Sequence, residues 1–162
     1  MRTAGLVSLQ EYLTSVYEPE CDYVDGCLEE RNVGERDHSK SQQRLIRALP
    51  ESLHVFPSVR IQVSGTRVRV PDVAAYLTEP VVQVFTTPPY LVVEILSPED
   101  RWSRTLRKLE DYARMGCPNI WVVDPFAGKA YQYRSSGVLE VQDALVTADG
   151  ALSVTLHEIG LS

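Results

Sequence analysis

Two short segments constrain this chain most: Arg69-Val70-Pro71-Asp72-Val73 and Leu91-Val92-Val93-Glu94-Ile95-Leu96-Ser97-Pro98. Each is a run of apolar, β-branched residues with one acid set into it. Such a run reads as a strand buried on both faces. An unpaired carboxylate there costs several kcal/mol or more, so each acid has to be neutralised, paired or bound to a cation. Two acids at the ends of neighbouring strands can converge on one cation. That is the layout of a magnesium-dependent phosphodiesterase site.

The flanking segments supply a single domain, 1–162, long enough to bury its own core. Ser8, followed three residues later by Glu11, is a capping-box pattern that opens a first helix over 9–17, stopped by Pro19. Residues 22–29 read as a hairpin around Asp25-Gly26, a type I′ turn signal. After a polar loop, a second helix covers 38–53, with Pro50 kinking or breaking its end. Segments 55–63 and 68–77, joined at Ser64-Gly65-Thr66, read as a second hairpin carrying Asp72. Residues 78–89 hold three prolines and form a loop before the Glu94 strand, 90–96. Ser97-Pro98-Glu99-Asp100 starts a third helix, with acids in its first turn that suit the helix dipole. That helix runs to Met115 and stops at Gly116. A buried strand follows over 119–123, then a turn at 124–128 and short strands over 130–134, 139–141 and 152–154. The order fits one α/β (α+β) domain with a central mixed sheet and flanking helices.

The ordered set Pro71-Asp72, Glu94, Arg107-Lys108-Leu109-Glu110-Asp111-Tyr112 and Met115-Gly116-Cys117-Pro118-Asn119-Ile120-Trp121-Val122-Val123-Asp124-Pro125 resembles the Uma2 family. That family consists of restriction-endonuclease-like proteins of the PD-(D/E)XK nuclease superfamily. The resemblance runs from the first helix to about Arg134. It implies a restriction-endonuclease-like core and a metal-dependent DNA endonuclease. Asp72 and Glu94 would hold Mg2+ (or Mn2+), with the Ile95 backbone carbonyl as third ligand. The superfamily motif has a lysine two residues after the glutamate, where this chain has Leu96. The resemblance assigns that role to Lys108 on the next helix, with Arg107 as its substitute. Asp22, ahead of the Asp-Gly turn, would complete the metal site or orient Lys108. His38 would contact a phosphate or shuttle a proton, and Gln43 is a further candidate substrate contact.

Plainer roles stand beside these. Asp72 and Glu94 can be strand-end acids held by the backbone or by Arg69 or Arg60. Lys108 can be a surface lysine, and Asp22 a polar residue beside a turn. Trp121 and Tyr112 suit a core, and Asp124 suits a turn cap.

The net charge of −6 counts against tight polyanion binding by a monomer. The best basic strip is Arg101, Arg104, Arg107, Lys108 and Arg114. Helical spacing puts Arg101, Arg104 and Lys108 on one face, with Arg104 as a substrate contact. A second reading follows from Leu96 and the acidic balance: a catalytically inactive nuclease-fold module that binds nucleic acid or a protein partner. Cys21, Cys27 and Cys117 are odd in number and fit no zinc spacing, so they read as reduced thiols. No apolar stretch reaches the roughly 18 residues of a membrane span, and no secretory h-region follows Met1. A cytoplasmic location, no small-molecule cofactor and a homodimer, as for a double-strand cutter, are the expectations.

Overall fold

The computed structural model describes residues 5–161. Helix α1 (Leu9–Leu13) opens as the capping box requires, with the Ser8 hydroxyl accepting from the Glu11 N–H at 3.1 Å. It ends well short of residue 17. Thr14 and Ser15 donate their hydroxyls to the Gln10 and Glu11 carbonyls, which satisfies the last turn without extending it. Strands β1 (Cys21–Val24) and β2 (Cys27–Glu30) form the expected hairpin. Asp25 and Gly26 both have positive φ, 50° and 92°, as a type I′ turn demands.

Helix α2 (Arg36–Ala48) begins two residues before His38 and ends two before Pro50. The residue preceding a proline is pushed out of the helical region, and Leu49 is extended with ψ 141°. The second hairpin departs further from expectation. It is divided into β3 (His54–Pro57), β4 (Ile61–Ser64), β5 (Arg67–Arg69) and β6 (Val73–Tyr76). The turn-proximal halves join β1 in a four-stranded antiparallel sheet, order β2-β1-β5-β4, whereas β3 and β6 pair in a larger sheet. Pro71 lacks the N–H that would continue the ladder, and Ser58, whose N–H donates to the Asp72 carbonyl at 3.2 Å, takes a positive φ of 48°. Asp72 lies at this crossing between sheets.

Strand β7 (Leu91–Ile95), helix α3 (Trp102–Met115) and strand β8 (Asn119–Asp124) form a parallel crossover unit. With β9 (Lys129–Arg134) and β10 (Gly137–Val141) they complete a six-stranded mixed sheet, order β10-β9-β8-β7-β6-β3. A small hairpin of β11 (Ala144–Val146), which the sequence did not announce, and β12 (Ser153–Thr155) closes the described chain. Helix α3 starts later than expected, after Glu99 and Asp100. The Asp100 carboxylate accepts from the Ser97 N–H at 2.6 Å and closes a turn ahead of the helix. Gly116, with φ 107°, ends it as expected. Among the described residues no helix is long and apolar enough to cross a membrane.

The large sheet is buried on both faces. Leu91, Val93 and Ile95 pack with Leu45 of α2, with Leu49 just beyond its end and with Trp121. Val92 and Leu96 face Leu109 and Tyr112 of α3. Because side chains alternate along a strand, Glu94 shares the α3 face.

Candidate active site

Strand register brings the two acids together. Val73 pairs with Val93 across the antiparallel β6–β7 ladder. One step further, the same register sets Asp72 beside Glu94, on the face that Ala74 and Val92 share. The Ile95 N–H donates to Asp72 Oδ2 at 2.6 Å and fixes the carboxylate against the neighbouring strand. Both acids are buried, at 3% and 5% exposure, so the cost of their charge has to be met by close partners.

Helix α3 supplies those of Glu94. Lys108 and Tyr112 stand one turn apart on its inner face. Lys108 Nζ lies 2.9 Å from Glu94 Oε2, and the Tyr112 hydroxyl donates to Oε1 at 2.6 Å. The absence of lysine at position 96 has a structural counterpart: Leu96 points to the α3 side of the sheet, and Lys108 reaches the same region from α3. Asp72 Oδ1 is held by Arg31 Nη2 at 2.9 Å and by His38 Nε2 at 3.1 Å. His38 comes from the first turn of α2, and its ring lies so close to Gly34 that a methyl group there would stand 2.9 Å from Nδ1.

Behind the acids lies a second, drier network. Asp22 is fully buried; its Oδ1 accepts from the Val70 N–H at 3.1 Å, and its Oδ2 lies 3.3 Å from Arg69 Nη1. Arg69 also meets Glu29 at 3.1 Å and Asp111 at 2.7 Å. Lys108 Nζ is 3.8 Å from Asp22. The lysine therefore bridges an acid of the small sheet and an acid of the large one. Among the described residues every buried side-chain nitrogen and oxygen has a partner, as a folded polar cluster requires.

The electrostatics follow from these contacts. Burial alone would lower the Lys108 pKa, but Glu94, Asp22 and Asp72 outweigh it and hold the amine above its usual value. Burial raises Glu94, with the Asp72 charge adding to it and Lys108 opposing. Burial also works against ionised Asp72, yet His38 and Arg31 win and keep it below the usual carboxylate range. Burial alone would lower His38, but the hydrogen bond to Asp72 and the Asp72 charge together outweigh it and raise the imidazole. Two neighbouring carboxylates with pKa values driven apart are a recurring arrangement in acid–base sites.

Arg31, His38, Asp72, Glu94, Ile95 and Lys108 line one cleft of about 40 Å3, room for an ion or a few waters. Among the described residues no three acid, histidine or cysteine side chains cluster to hold a metal. What the cleft offers is two buried carboxylates and the Ile95 main chain. This hard-oxygen set fits magnesium, which keeps several of its own waters.

The structure thus brings together Asp72, Glu94, Lys108 and His38, with Asp22 one layer behind. Arg104 also lines the cleft, but its guanidinium is drawn to Glu29 at 3.5 Å and to the Glu30 carbonyl. Gln43 is exposed, and it is Gln42 that donates to the Asp72 carbonyl at 2.8 Å. The apolar phase of α2 carried that signal, since Gln42 precedes the inward Leu45 and Leu49 by three and seven residues. Neither Arg69 nor Arg60 holds Asp72 or Glu94; Arg60 reaches the Tyr12 and Leu13 carbonyls. No local pattern marks Arg31 as the partner of Asp72, which lies 41 residues away. Trp121 is core at 1% exposure, Asp124 caps its turn through the Phe126 and Ala127 N–H groups, and the three cysteines are free.

The sequence matches the Uma2 family, described as "Putative restriction endonuclease", over residues 9–161. The fold is similar to a crystal structure from Anabaena variabilis described as "a putative nuclease belonging to DUF820". The TM-score is 0.81 at 22% identity, over 94% of this chain and 97% of that one. At that identity the likeness is one of fold. No curated protein matches the sequence. With the family match running over residues 9–161, the chain belongs to the Uma2 family.

Proposed function

We propose that this protein is a divalent-metal-dependent endonuclease that hydrolyses DNA phosphodiester bonds. The observation that carries the reading is the 2.9 Å contact between Lys108 and Glu94 beside Asp72, in one cleft. It supplies an ammonium where Leu96 replaces the motif lysine. Asp72, Glu94 and the Ile95 carbonyl are the residues that would hold Mg2+ or Mn2+. Bound there, the ion would polarise the scissile phosphate and acidify a water. Lys108, kept charged by three acids, stabilises negative charge that grows on the phosphate. Arg31 and His38 line the same cleft, where an entering phosphate competes with Asp72 for their N–H donors. Tyr112 fixes the Glu94 rotamer, and Asp22 holds Lys108 from behind. A cytoplasmic homodimer, with one cleft per strand, is the form we propose for double-strand cutting.

The test is manganese binding by anomalous scattering from soaked crystals, followed by cleavage of plasmid DNA. A peak between Asp72 and Glu94 that disappears in Glu94→Gln, with cleavage lost in Asp72→Asn and Lys108→Ala, supports the reading. One observation favours a second reading: each carboxylate oxygen of Asp72 and Glu94 already accepts a hydrogen bond from the protein. A nuclease fold locked in this way would serve as a non-cutting module. Absence of a manganese peak at millimolar metal decides for it.

A further inference from the structure

Helix α2 has two faces. The inner one carries Ser41 and Leu45 into the core and His38 into the cleft. The outer one carries Arg36, Lys40, Arg44 and Arg47. At 3.6 residues per turn these four cations fall within an arc of about 80° and along about 16 Å of axis. Arg36 is paired with Asp37 at 2.7 Å. Among the described residues, Lys40, Arg44 and Arg47 have no carboxylate within ion-pair distance. Arg44 is also held in place: its guanidinium lies against Gly160, whose φ is +78°, and a methyl group there would overlap it. In a chain of net charge −6, three unopposed cations in one row are a local reversal of sign.

The basic strip expected on α3 is interrupted by comparison. Arg104 and Arg107 lie 3.5 and 3.9 Å from Glu29, and Lys108 is committed to Glu94, which leaves Arg101 and Arg114, unpaired among the described residues, at opposite ends of the helix. The α2 row is therefore a continuous cationic track, unpaired among the described residues, and it begins within a turn of His38, which the same helix places on Asp72.

We infer that the outer face of α2 is the track on which the nucleic acid flanking the scissile bond lies, with Lys40, Arg44 and Arg47 on successive backbone phosphates. This rests on the nuclease reading and adds to it the surface that holds the substrate. From Lys40 to Arg47 the row covers about 10 Å of helix axis, the length of roughly three phosphates of one strand.

The test uses a labelled DNA duplex about two turns long, with calcium in place of magnesium and anisotropy read across a salt series. Lys40→Gln/Arg44→Gln/Arg47→Gln should weaken binding on the order of 10²-fold at 0.1 M salt and reduce the salt slope by about three. Arg114→Gln/Arg134→Gln should change neither, and hydrolysis of a small phosphodiester should persist in both. Because Arg44 packs on Gly160, Lys40→Gln/Arg47→Gln serves as a second variant, with a slope loss of about two. Unchanged affinity and slope in these variants, with the parent binding duplex, overturns the track and leaves the nuclease reading standing. A parent that binds no nucleic acid at low salt overturns both. Equal affinity for polyglutamate overturns the track in favour of an acidic protein partner.

Discussion

Replacing Lys108 with methionine tests whether the Lys108–Glu94 pair is desolvated. Methionine keeps the stem and removes the ammonium. The pair is tight, 2.9 Å, with side-chain exposures of 12% and 6%. After the substitution Glu94 retains only the Tyr112 hydroxyl and still faces Asp72. Breaking one side of a buried pair costs about 3–5 kcal/mol, against about 0–1 kcal/mol for an exposed pair. The loss should depend on pH. Glu94 is already raised in the folded state, and without Lys108 it rises further. A carboxylate raised in this way binds more protons folded than unfolded, so variant stability falls as pH climbs from about 4.3 towards the folded value. The deficit is then smallest in acid and largest in alkali. Adding Glu94→Gln should recover most of it. Urea unfolding of the parent, both single variants and the double variant, at about pH 5 and about pH 8, completes the cycle. A deficit under about 1 kcal/mol that is the same at both pH values would refute the reasoning and make Lys108 a surface lysine.

Three further outcomes follow from named contacts. Tyr112→Phe removes a 2.6 Å bond to a buried carboxylate and should cost about 1–3 kcal/mol in urea unfolding; a neutral result would mean the hydroxyl has another use. His38 is raised by Asp72, so its contribution is complete below about pH 6.5 and fades as pH rises through its folded value. The stability gap between the parent and His38→Gln should therefore narrow in alkali, and a gap independent of pH contradicts a charged histidine there. Gly34→Ala places a methyl 2.9 Å from the His38 ring. It should swing the ring off Asp72 and return the His38 titration, followed by NMR, towards its free value.

Much of the scaffold was legible locally. Asp25-Gly26 specified a turn because both residues tolerate positive φ, and Gly116 stopped α3 for the same reason. Leu91 to Leu96 read as a strand buried on both faces, and the two-residue period then required Glu94 to share a face with Leu96. The acids themselves stood out because ionised groups in apolar strands need partners. The identity of those partners was not local. Arg31 reaches Asp72 across 41 positions, and Arg69 reaches Asp22 and Asp111 across 47 and 42. Such pairs depend on where the ribbon of β3–β6 crosses from one sheet to the other. Pro71 marked a break in a ladder, but whether the chain resumed in the same sheet depended on the rest of the core. The sequence by itself determined the strands, the turns and the acids that could not stay unpaired. Only the tertiary structure decided which cations answer them, because pairing across sheets is set by packing between segments that no local pattern connects.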